Sequence, residues 1–408
     1  MAYDCRGITI TTQSPVALGA LEKAVTSFLA HSSDLAEQLS AVLAADPDLV
    51  AAQCLAGFSH MLLGRAELFP LARCAHECAR TALLARGGTA RERALADALG
   101  AWVNDGAMDK SAAILDAALT AEPCDAMGAK LVQSVGFMLG DAAGMRRSIT
   151  AALGAWTPDM PGYGFMLGCQ AFALEETGAL AEAEMLGREA LAREPGDVWG
   201  CHAVAHIYET RGEPAHGLAW LMLHEPRWDA VNNFARHMFW HRALFHLARN
   251  EADIALGLYD TKIRGTKTDD YRDIANAASL LRLEARGLRV GARWRELADI
   301  AERHGRDHAL AFAQLHYLLC LIGDGRIDAA YRFFAAMDIE ARCGHGTQAE
   351  LLGEVGVDLA KLMLGGSQAS AGSPSLRNEI ARLGGSNAQR QIFQRIVDRA
   401  TRREPHAA

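Results

Sequence analysis

Apolar residues recur at intervals of three and four along nearly the whole chain, which predicts one helix after another separated by short breaks. Ala, Leu, Glu and Arg dominate, and strand-like runs of Val, Ile and Thr are scarce, so helical propensity agrees with the periodicity. The pattern also repeats on a longer scale. Aligning the segment 171–195 with the one after it pairs Ala171 with Ala205, Leu174 with Tyr208, Gly178 with Gly212 and Ala183 with Gly217. Every offset is 34 residues.

A period of 34 is that of the tetratricopeptide unit, one helix–turn–helix per repeat. Its turn residue can be followed through Gly64, Gly106, Gly140, Gly178, Gly212, Asn250, Gly287 and Gly325, at spacings of 42, 34, 38, 34, 38, 37 and 38. Gly and Asn suit a place where the chain leaves a helix through a left-handed residue. Pro123 and Pro195 each fall 17 residues after their glycine, where a second helix must stop, and Pro47 closes an earlier unit in the same way. About eight units are expected, with no long linker between them. The low-complexity stretch at 365–375 is expected to be a flexible loop. The predicted fold is all-α: one right-handed α-solenoid domain over residues 1–408, made of tetratricopeptide-like hairpins and curled around a central cavity.

Within this frame the histidines draw notice. In the unit that begins at Val198, the positions Cys201, Val204, Ala205 and Tyr208 match the inter-helix packing consensus. The other face carries Trp199, His202, His206 and Glu209, and is expected to look into the concave groove. The next unit, NNFARHMFWHRALFHLARN, places His237 and Trp240 on that face and His241 at its edge. The preceding unit offers Phe165, Phe172, Glu175 and Glu176 on or near the same surface. Two adjacent helices thus each present His-x-x-x-His, with ring positions about 6 Å apart.

Three readings of these residues stand side by side. Two such pairs on facing helices can share a divalent ion such as Zn, Fe or Mn, with a carboxylate added. H-E-x-x-H is absent, since His202 is followed by Ala203. The same imidazoles can instead serve, without metal, as acid, base and electrostatic stabiliser. Or they are polar helix residues in a wet groove that holds a peptide. Elsewhere the readings are plainer. His60 and His246 occupy a packing position, His316 is core, and Cys74, His76 and Cys78 are ordinary helix packing before they are a metal corner. His31, His224, His304 and His345 carry no spacing signal.

Several stretches resemble the tetratricopeptide repeat protein 38 family: WTPDMPGYGFMLGCQAFALEETG, CHAVAHIYETRGE, RHMFWHRAL, RHGRDHALAFAQLHYLL and RLGGSNAQR. The likeness extends from GITITTQSPVAL near the start and so covers nearly the whole chain. It implies matching residues at Trp156, Glu176, His202, His206, Glu209, His237, Trp240, His241, Asp307, His308 and His316, and therefore a site, but no particular reaction. Two departures bear on selectivity. Tyr208 stands where some members have another His, and Arg242 where an aromatic is usual.

Composition narrows the function. A formal charge of −8 argues against nucleic acid as a partner. No apolar run is long enough to span a membrane, no signal peptide is evident, and nine scattered cysteines suit reduced thiols, so a cytoplasmic location is expected. No Gly-rich phosphate loop or serine elbow occurs, so no nucleotide cofactor is expected. The lead expectation is an enzyme acting on a small organic molecule by hydrolysis, elimination or addition, with or without a metal. His202, His206, His237 and His241 carry the chemistry, with Glu209 or Glu176 orienting an imidazole. Trp156, Tyr163, Phe172, Trp199, Trp240 and His308 are expected to wall the cavity. The alternative is a non-catalytic interaction protein holding a peptide or partner helix, the usual work of this repeat. Metal storage or sensing is a third reading, and the free end of the solenoid makes a homodimer the expected assembly.

Overall fold

The computed structural model describes residues 1–365 and 374–402. The loop expected at 365–375 lies outside the described residues apart from Gly365 and from Pro374 and Ser375, which open the helix Pro374–Glu379. Helices joined by short turns make up most of the described residues, and among them there is one sheet. At the start, Ala2–Tyr3 pairs antiparallel with Thr9–Ile10 in a minimal hairpin that departs from the strand-free expectation. The Asp4 carboxylate closes its turn by accepting from the N–H groups of Arg6 and Ile8 at 2.9 and 2.8 Å.

All eight expected turn residues are left-handed, with φ from 59° at Gly64 to 86° at Gly178. Asn250, at φ 62°, is one of two non-glycine residues with positive φ among the described residues. Asn tolerates this region better than other side chains because its short polar group bonds locally. The prolines act as expected. Leu35–Ala45 stops before Pro47, Met108–Ala121 before Pro123 and Leu180–Arg193 before Pro195.

Each helix packs mainly against those next to it in the chain, and small residues let them approach. Ala171, Ala183 and Ala205 are fully buried, and a Cβ on Gly187 would sit 2.6 Å from a Val204 methyl. One apolar core extends from Ile8 to Val397. No described helix is long and apolar enough to cross a membrane.

Contacts across long stretches of sequence then join early units to late ones. The Thr347 N–H donates to Gly106 O at 3.1 Å, and the Asn387 N–H to Glu176 at 3.0 Å. The Ser33 N–H donates to Ala230 O, and the Asn232 N–H to His31 O, both at 2.8 Å. These joints cover faces that a repeat array leaves open. The helix Val198–Arg211 buries every residue from Val198 to Tyr208. A helix buried all round belongs to an interior, not to the wall of an open groove.

Candidate metal centre

The helices Val198–Arg211 and Phe234–Ala248 are neighbours, and each sends two histidines one turn apart into the space between them. The four rings meet at their Nε2 atoms. His202 Nε2 lies 3.0 Å from that of His237 and 3.1 Å from that of His241. His241 Nε2 lies 3.1 Å from those of His206 and His237. All four residues are buried, with His241 at 0% exposure.

Behind three of the four rings, acceptors face the other nitrogen. His237 Nδ1 lies 2.8 Å from Asn276 Oδ1 and His241 Nδ1 3.1 Å from Glu209 Oε2. His206 Nδ1 lies 3.3 Å from Glu175 Oε2 and 3.7 Å from Glu176 Oε1. A carboxylate or amide oxygen can only accept, so in these three rings Nδ1 carries the proton. A neutral ring protonated at Nδ1 has a bare lone pair at Nε2. Three such lone pairs therefore converge, and His202, whose Nδ1 has no partner among the described residues, faces them through an Nε2 that either adds a fourth lone pair or donates to His237 or His241.

Burial holds His202, His237 and His241 well below the ordinary imidazole range, and neighbouring rings add to the effect. His206 is different. Burial lowers it too, but Glu175, Glu176 and Glu209 outweigh that and raise it. Glu176 is itself raised, by burial first and by the like charge of Glu175 second. Without an ion, His206 is the ring that gains most from a second proton, which it would donate to His241 Nε2.

Aromatic rings fix the cluster in place. Phe172 stacks on His202 with centroids 5.4 Å apart and planes 15° apart, and Trp240 stacks on His237 at 4.9 Å and 20°. Trp199 leans on His202 at 5.2 Å. One side of the centre opens into a small cavity of about 60 Å³, which His202 and His237 line together with Trp199, Phe234 and Phe312. A wider space of about 690 Å³ shares walls with it at Trp199, Phe234, Tyr271 and Arg272.

Other expected residues fall elsewhere. Glu176 stands behind the centre but is occupied chiefly by the Asn387 N–H and, at 3.1 Å, by Arg390, so Glu175 is the closer carboxylate to His206. Phe172 and Trp240 touch the imidazoles but line neither cavity. Trp156 is buried against its own neighbours, where its indole N–H donates to Pro123 O at 2.8 Å. Tyr163 packs under the Arg193 guanidinium at 5.2 Å. Neither walls the cavity, because the loop before Tyr163 folds back onto the second helices. His308 turns aside to Gln314 Oε1 at 3.1 Å and does not line it either. His60, expected to be packing, lines the wider space. His316 is core, donating to Phe312 O at 2.8 Å, and burial pushes its pKa down to about 4. Cys74 and Cys78 share an exposed face, whereas His76 is buried on the other side of the helix, so no three-ligand corner forms there.

The periodicity of single helices did not point to Asn276, Phe234, His31, Lys130 or Arg272. Asn276 alone left a trace. It lies 39 residues after His237, which is itself 35 after His202, and so holds the corresponding place in the next unit. No family model matches the chain.

Proposed function

We propose that this protein is a metal-dependent enzyme whose ion is held by His202, His206, His237 and His241 and whose substrate is a small organic molecule. The observation that carries the reading is the convergence of four buried Nε2 atoms from rings held behind by Asn276, Glu209 and Glu175. Four of their six separations, at 3.0–3.1 Å, are within a few tenths of an ångström of what ligands about 2.0–2.1 Å from one tetrahedral ion require, and all lie within 4.8 Å. A cation satisfies all the converging lone pairs at once, whereas without one a proton on His202 Nε2 or His206 Nε2 satisfies only some of them. The acceptors behind the rings fix tautomer and orientation and raise ligand basicity, as outer partners do in known centres. An all-imidazole set suits Zn or Fe better than Mn, which prefers oxygen ligands.

A bound ion would polarise a substrate oxygen or lower the pKa of a bound water. The chain's own residues supply the surroundings. Trp199, Phe234 and Phe312 exclude water from the mouth of the centre, and His202 and His237 are the ligands that a molecule in the cavity meets. Burial of the histidine faces argues against a peptide-binding groove there.

The reading extends to fold and kinship. Eight left-handed turns at repeat spacing support a tetratricopeptide-like solenoid, and the joints between early and late units support its curling around the site. Membership of the tetratricopeptide repeat protein 38 family is part of the same proposal, supported by the four histidines of that likeness meeting at one point. Nine free thiols fit a cytoplasmic location.

The test is metal content by inductively coupled plasma mass spectrometry on untagged protein, with His202→Ala and His237→Ala beside it. Near-stoichiometric metal that falls below a tenth in both folded variants supports the centre. Folded wild-type protein that takes up neither Zn(II) nor Fe(II) on reconstitution sinks it.

A further inference from the structure

The wider cavity has apolar walls at Phe28, Leu39, Leu43, Leu63, Phe137 and Met138, interleaved with neutral polar side chains. Of its charged wall residues, one lacks an ion pair. Lys130, on the helix Ala126–Leu139, is 3% exposed. Among the described residues its ammonium has no hydrogen-bond acceptor and no carboxylate within ion-pair distance, only the face of Trp199, 4.6 Å from Nζ to the ring centroid. The cavity holds one other cation and one anion. Arg272 and Asp270 are bonded to each other twice, through Nε at 2.9 Å and Nη2 at 2.6 Å. Their charges cancel, and the ammonium of Lys130 is left without an ion pair, since the nearby carboxyl of Asp197 lies beyond ion-pair distance and does not line the cavity.

A buried ammonium without a counter-charge is expensive, and a chain that keeps one gains by receiving an anion there. We infer that the cavity takes a molecule with an apolar body and one anionic group, a carboxylate in the simplest case, which Lys130 binds. The inference rests on the proposed centre for its direction. Trp199 carries Lys130 on one contact and His202 on another, at 5.2 Å between rings, and lines both the wider space and the small one beside His202. An anion at Lys130 would lay the apolar body along the indole, so that its far end approaches His202 and His237. The substrate class is then an amphipathic organic acid that reacts away from its acid group.

The experiment is a fluorescence titration of the full chain with two naphthalene probes, anionic 1-anilinonaphthalene-8-sulfonate and neutral N-phenyl-1-naphthylamine. The wild type is expected to bind the sulfonate at least tenfold more tightly. In Lys130→Met that preference disappears through a tenfold or greater weakening of the sulfonate alone, and in Lys130→Arg it returns. Equal binding of both probes by the wild type, no binding of either, or an unchanged preference in folded Lys130→Met would overturn the inference. If Lys130→Met does not fold, the wild type still decides. Octanoate must displace the sulfonate probe at concentrations where octanol does not, and equal displacement would overturn the inference. Metal content measured on the same samples separates the two claims. Charge-selective binding that survives in metal-free His202→Ala supports the anion pocket by itself. A wild type that never takes up metal yet keeps the preference ends the centre and leaves the pocket.

Discussion

Glu209 and His241 face each other across two adjacent helices, with Oε2 of the carboxylate 3.1 Å from Nδ1 of the ring. Because the carboxylate fixes the proton on Nδ1, the lone pair of His241 points at three other imidazoles. Removing the charge while keeping an acceptor tests this. Glu209→Gln is expected to fold and to lose metal affinity by about tenfold to a hundredfold. Competition against a chelator of known affinity measures it, and an unchanged constant would mean that Glu209 does not tune the site.

Asn276 does the same work for His237 without a charge. Asn276→Leu leaves a buried ring N–H unpaired, at a cost of about 1–3 kcal/mol in stability. It is also expected to weaken metal retention on dialysis. Asn276→Asp restores an acceptor and should retain metal at least as well as the wild type. If both variants hold metal equally, the contact is incidental.

The turn at Asn250 can be tested apart from the site. Its φ of 62° suits Gly and Asn and penalises a β-branched residue. Asn250→Val should lower the urea midpoint by an amount equivalent to about 1–2 kcal/mol, and Asn250→Gly should change stability by less than about 1 kcal/mol. Equal losses in the two variants would show that the side chain, not the backbone, is what the position requires.

Asp197 supplies a pH dependence. Burial pushes its carboxyl up to about 7, against the opposing pull of nearby Lys130 and of the backbone N–H groups of Gly200 and Trp199. With the folded value raised, the folded chain holds a proton that the unfolded chain releases above about 3.9. The stability this contributes is fully present below the unfolded value and is lost as pH rises through the folded one. Asp197→Asn keeps an acceptor for the Trp199 N–H and cannot ionise. Its stability relative to wild type should therefore rise between pH 5 and pH 8, by on the order of 2–3 kcal/mol. Paired thermal melts across that range check it, and a constant difference would rule out the shift.

The two His-x-x-x-His pairs were legible because each lies within one helix, where a spacing of four returns a side chain to the same face. That the pairs face each other is what the 34-residue spacing predicts, and the structure places the two helices side by side. The choice between Glu175 and Glu176 was not legible. Adjacent residues differ by about 100° around a helix, and a few degrees of rotation decide which carboxylate reaches His206. Trp156, Tyr163 and His308 were assigned to the cavity on the strength of composition and likeness, and each is drawn off by a local partner: Pro123, Arg193 and Gln314.

By itself the sequence determined the helical class, the places where helices end, and the four imidazoles that share a centre. These depend on the α-helical period and on backbone preferences at Gly, Asn and Pro, which act over a few residues. Only the tertiary structure decided that the histidine face is sealed, that Asn276 stands behind His237, and that Trp199 lines both the space beside His202 and the wider one beside Lys130. Those relations join side chains from different helices, and some of the joints that seal the face span about 200 residues of chain. They depend on small rotations between successive helices that accumulate, and no local pattern records their sum.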